Sequence, residues 1–92
     1  MEREAAETVG LRALSWLAAH EELLPVFVGA TGASLSDLRS GAGDPAFLGS
    51  VLDFLLMDDA WVTGFCRATG RAFTDPAAAR AALPGGQAVH WT

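Results

Sequence analysis

Ninety-two residues with eleven acidic side chains, six arginines and no lysine carry a formal charge of −5. That balance weighs against wide contact with a phosphate backbone and against docking on an anionic membrane. Hydrophobic residues make up 51% of the chain, yet the longest run of large apolar residues, Phe54–Met57, falls far short of the ~20 needed to cross a bilayer.

The length suits one helical domain over 1–92, with 84–92 as a C-terminal tail. The opening MEREAAET has acids where a signal peptide carries a basic patch and an apolar core. Cys66 is the only cysteine, which leaves no internal disulfide and fits a reducing compartment. A soluble, cytoplasmic protein is the expectation.

From about Arg3 to His20, Val9, Ala13, Leu14, Trp16 and Leu17 share one helical face, with Glu4, Thr8, Arg12 and Ser15 opposite. An acidic joint, His20-Glu21-Glu22, leads into a second helix bearing Leu23, Leu24, Val26, Phe27, Val28 and Ala30. Pro25 must fall in its first turn, and Gly32 closes it. Ser34 and Asp37 have capping-box spacing and open a short third helix through Arg39. Ser40-Gly41-Ala42-Gly43 reads as a flexible connection.

Asp44-Pro45 is a cap followed by a proline where no amide hydrogen is needed. In the fourth helix, Phe47, Leu48, Val51, Leu52, Phe54, Leu55 and Leu56 sweep an apolar arc of about 200°, leaving Gly49, Ser50 and Asp53 as a thin polar strip. So wide an arc predicts a central helix covered on several sides. A fifth helix, Ala60–Thr69, follows Asp58-Asp59, presents Trp61, Val62, Phe65 and Cys66, and stops at Gly70. Asp75-Pro76 repeats the cap-plus-proline signal for a last helix to about Leu83, ended by Pro84-Gly85-Gly86. No segment alternates as a strand does.

A repeat with an offset of 38 residues runs through this pattern. Phe27-Val28-Gly29-Ala30-Thr31-Gly32 falls on Phe65-Cys66-Arg67-Ala68-Thr69-Gly70, and Leu35 falls on Phe73. The fold class expected is therefore all-α, a compact bundle of five to six helices built as two three-helix halves about a pseudo-two-fold axis.

No constellation of residues carries chemistry. Gly41-Ala42-Gly43-Asp44-Pro45-Ala46 fits a dinucleotide fingerprint formally, but no strand precedes it and Asp44 would put a carboxylate where pyrophosphate must sit. Glu21-Glu22 and Asp58-Asp59 lie at helix junctions, where carboxylates favour the amino-terminal dipole. His20 and His90 lack metal-ligand spacing; His20 suits a helix end. Cys66 reads as a small buried hydrophobe. Trp16 and Trp61 read as core. Trp91, in the tail, either folds back or anchors a partner. Catalytic, cofactor-binding and metal residues are accordingly expected to be none, with no cofactor and no enzyme activity.

With WLAAHEELLPVFVGATG, SLSDLR, DPAFLGSVLDFLLMDDAWVTGFCRATG and the closing LPGG in view, the chain resembles the small alphaproteobacterial proteins grouped as domain of unknown function family 3572. The resemblance covers about Glu4 to Gly86. Pro25-Val26 departs from the basic residue expected before the phenylalanine. The resemblance implies a bacterial origin and a helical fold, and brings no catalytic residues with it.

The function expected is that of a non-catalytic protein-interaction module with an unknown protein partner, a homodimer being one form, acting through an apolar or acidic surface. The alternative is a helix-turn-helix-like, DNA-associated regulator using Ser34–Arg39. Phe27–Arg39 has that motif's turn and second helix, but Ser34, Ser36, Asp37 and Arg39 set one carboxylate against one guanidinium, so nucleic acid is not the expected partner.

Overall fold

The computed structural model describes residues 1–85, which form six helices with no strand among them. In chain order these are α1 (Arg3–Ala19), α2 (Leu24–Thr31), α3 (Leu35–Gly41), α4 (Pro45–Leu55), α5 (Asp59–Thr69) and α6 (Asp75–Ala82). The Cα radius of gyration, 12.2 Å, is close to the ~12 Å of a compact chain this long.

The apolar arc of α4 is used as its width predicts. Leu48, Val51, Leu52, Phe54 and Leu55 are all buried, Leu52 completely, and the helix packs against α1, α3, α5 and α6. Burying each such side chain contributes roughly 1.5–3 kcal/mol, so this one helix supplies a large part of the driving force. The α1 face closes over it through Ala6, Val9, Ala13, Leu14 and Leu17. Gly10 lets the two helices cross closely: a Cβ there would lie 2.9 Å from the Leu48 Cβ.

The starts of α3, α4 and α5 fall where side-chain chemistry puts them. Asp44 Oδ1 accepts from the Ala46 amide at 3.0 Å and Asp58 Oδ1 from the Ala60 amide at 2.8 Å. Ser34 and Asp37 form a complete capping box. The two corners of the repeat are the same object twice. Gly32 (φ 73°) and Gly70 (φ 70°) are left-handed C-caps, Thr31 and Thr69 each bond back to the carbonyl of Phe27 and Phe65 at 2.8 Å, and both phenylalanines are fully buried.

Five local expectations need correction. Ser40-Gly41 is not a flexible link, because α3 continues through Gly41, whose missing Cβ leaves room for the Phe47 ring. Glu21 and Glu22 cap nothing: Leu23 holds the cap position of α2, the Leu24 amide is already bonded to the His20 carbonyl, and Pro25 has no amide to offer. Thr74, not Asp75, is the cap residue of α6, which shifts Asp75 and Pro76 into its first turn. Gly49 is no part of a solvated strip but is buried beneath the Arg80 guanidinium.

Trp16 and Trp61 are only half-buried, at the rim of the core rather than inside it. An indole is large and its N–H favours contact with water, so a rim position suits it. Trp61 stacks on Phe54 with ring centroids 4.7 Å apart, and the Trp16 ring meets the Phe65 edge at 6.1 Å. The tail expectation for Trp91, and His90 with it, lies outside the described residues.

Candidate functional site

Most carboxylates in the middle of the chain already have structural work. Asp37, Asp44 and Asp58 cap helices. Asp53 accepts from Arg80 Nε at 2.6 Å, while Arg80 Nη1 donates to the Pro84 carbonyl at 2.9 Å. That guanidinium ties the end of α6 to α4, and it fits only because position 49 is glycine: a Cβ there would stand 2.7 Å from Nη1. Asp53 is more than half exposed, so the pair's value lies more in positioning than in Coulomb energy.

No three His, Cys, Asp or Glu side chains gather as metal ligands among the described residues. His20 ends α1, with its ring over Trp16 (centroids 4.3 Å apart) and Nδ1 3.4 Å from the Trp16 carbonyl. Cys66 is buried on α5, and its thiol donates to the Ala72 carbonyl at 3.3 Å. Burial pushes that thiol above its ordinary range, and Asp75 adds to the rise while Arg71 opposes it. A thiol so placed is a weak nucleophile at neutral pH.

The α2–α3 corner, where a DNA-reading helix was the alternative, presents Leu35 at 67% exposure. Its Asp37 carboxylate occupies the first turn of a helix only seven residues long. That carboxylate lies where a phosphate would have to approach.

Apolar surface breaks out elsewhere. Met57 is 75% exposed at the joint between α4 and α5. Beside it, Ala30, Thr31, Ser50, Asp53, Phe54 and Met57 line a shallow cleft of about 240 Å³. Leu35 and Phe73, which the sequence repeat aligns, are also exposed, Phe73 by 52%.

Three further clefts have different linings. Glu4, Glu7 and Leu11 of α1 face Pro45 and Leu48 of α4 across an acidic groove of about 240 Å³. Asp37, Ser40, Asp44 and Ser50 line a polar one of similar size. Arg12, Ala68, Thr69 and Arg71 line the fourth, of about 270 Å³. No sequence motif drew these residues together, although the helical wheel did set Arg12 opposite the apolar face of α1. No helix among the described residues is long and apolar enough to cross a membrane.

The family model described as Protein of unknown function (DUF3572) matches residues 3–86, most of the chain, and the protein belongs to that family. No curated protein and no solved structure matches it.

Proposed function

We propose that this family member is a non-catalytic protein-interaction module, and that its working surface is the apolar outcrop around Met57. The observation that carries this reading is a large, 75%-exposed methionine set beside the Ala30–Phe54 cleft. Methionine is a flexible, adaptable contact residue, and Trp61, stacked on Phe54, adds a half-exposed aromatic to the same end of α4. The cleft's size also supports a macromolecular partner, since pockets for small organic ligands run to roughly 300–1,000 Å³. The commitment of Asp37, Asp44, Asp53 and Asp58 to caps and an ion pair supports a non-catalytic role.

The simplest form of the module is a homodimer. Sedimentation equilibrium at high micromolar concentration is expected to give a dimer that Met57→Glu dissociates without changing the helical circular dichroism. A strict monomer removes the homodimer. Pull-down from source cells, wild type against Met57→Glu, then tests the broader reading: equal recovery of every protein by both forms removes Met57 from the working surface.

A DNA-associated regulator using Ser34–Arg39 receives less support, because the exposed surface of α3 offers Asp37 together with Arg39. Titration against duplex DNA at low salt tests it, since genuine binding weakens steeply as salt rises.

A further inference from the structure

The chain has six arginines, and two have carboxylate partners: Arg3 with Glu7 at 3.0 Å and Arg80 with Asp53. Of the other four, Arg12 and Arg71 line one cleft although they come from different parts of the chain. How they meet follows from the packing. α1 and α5 cross where the Trp16 ring sits over Gly64, whose Cβ would lie 3.3 Å from the indole. One helical turn further along both helices, Arg12 and Ala68 face each other, and Arg71 follows from the turn after Gly70.

Two features separate this pair from ordinary surface arginines. Arg71 is half-buried yet has no carboxylate within ion-pair distance and no side-chain hydrogen bond among the described residues. On α1, the neighbours of Arg12 at helical spacing, Ala5, Thr8, Ser15, Trp16 and Ala19, carry no charge. Asp75 is the acid nearest in chain to Arg71 and acts on the same Cys66 thiol, raising it where Arg71 lowers it, but it is no part of the cleft lining. The carbonyl end of the α5 dipole attracts Arg71, but Arg12 lies in mid-helix, where no such pull reaches it. Two arginines thus line one cleft with no carboxylate within ion-pair distance of either among the described residues, in a chain that is acidic overall.

We propose that the cleft between Arg12 and Arg71 is an oxyanion site, and that its ligand is a phosphate-class group. A dianionic tetrahedral group matches two positive charges lining one cleft and can accept from both planar donors. The Thr69 hydroxyl, whose proton goes to the Phe65 carbonyl, faces the cleft only as an acceptor and so fits a protonated phosphate oxygen. A cleft of about 270 Å³ has room for such a group. This site is independent of the Met57 surface, and each can fail without the other.

The test is an amide NMR titration of the full chain with inorganic phosphate, with chloride adjusted to hold ionic strength constant. Saturable shifts centred on Arg12, Thr69, Gly70 and Arg71 are expected. Arg12→Gln and Arg71→Gln should each weaken the apparent affinity about tenfold, the loss of one charge-assisted pairing. Arg39→Gln, on the far α3, should leave it unchanged. Since Arg12 is exposed, its variant keeps the test open even if Arg71→Gln is poorly folded. Linear shifts that match chloride alone, equal weakening by Arg39→Gln, or saturation by acetate as tight as by phosphate would each overturn the assignment.

Discussion

The corners at Gly32 and Gly70 are built alike, yet the helices that leave them have different fates. Each corner buries one phenylalanine, ties a threonine hydroxyl to that residue's carbonyl and ends on a left-handed glycine. After the first, α3 caps itself through Ser34 and Asp37 and lies against α4, burying only Gly41 of its own length. After the second, α6 packs into the angle between α1 and α4, with Pro76, Ala79 and the capping Leu83 buried. Corner geometry is local and survives in both halves. Where the next helix goes depends on its own surface, and the alanines of α6 allow the close approach that the serines and charges of α3 do not.

Substitutions can break or sharpen that contrast. The largest effect is expected at Leu52, fully buried on the helix that packs against α1, α3, α5 and α6. Leu52→Asp buries an unpaired charge and should cost upwards of about 4 kcal/mol, most of the stability of a chain this size. Loss of the cooperative thermal transition is the readout. Next come Phe27→Ala and Phe65→Ala, each expected to cost about 3–5 kcal/mol in urea unfolding. Phe27 should lie at the upper end, because among the described residues it meets two rings edge-on, Phe47 and Phe54, where Phe65 meets one, Trp16. A gap of several kcal/mol between the two would show that the corners are not energetic equivalents.

Smaller effects isolate the backbone. At both corner glycines an added Cβ meets nothing within 4 Å, so Gly32→Ala and Gly70→Ala differ from wild type only through the left-handed conformation. Each should cost about 1 kcal/mol, the αL penalty less the entropy removed from the unfolded chain. The smallest effect concerns pH. Cys66 stands where the first half has Val28, and burial holds its thiol proton more tightly than in the unfolded chain. The native state then binds more protons in the alkaline range, so stability is fully present below the ordinary thiol range and falls as pH rises through the raised value. Cys66→Ala should flatten that alkaline decline, measured as melting temperature against pH.

How much of this was legible in the sequence depended on how local the cause was. Asp44, Ser34, Asp58, Gly32 and Gly70 act on amides and carbonyls within a few residues, and their roles could be read directly. So could the central place of α4, because an arc of apolar side chains leaves no other arrangement. Gly49 could not, since its neighbour Arg80 arrives from another helix. Glu21 and Glu22 misled because acidic character alone does not make a cap when Pro25 and a prior bond to the Leu24 amide remove the donors. The Arg12–Arg71 pair was invisible for the same reason as Gly49. It exists only where α1 crosses α5.

Native-state hydrogen exchange, resolved by residue, tests the unequal halves most directly. Amides in the body of α4, around Leu52 and Leu55, and those at the end of α6 should exchange only through global unfolding. Amides of α3 beyond its first turn should open locally at a clearly lower free energy. Protection of α3 equal to that of α6, or early exchange in α4, would contradict a bundle whose spine is α4 and whose third helices are bound so differently.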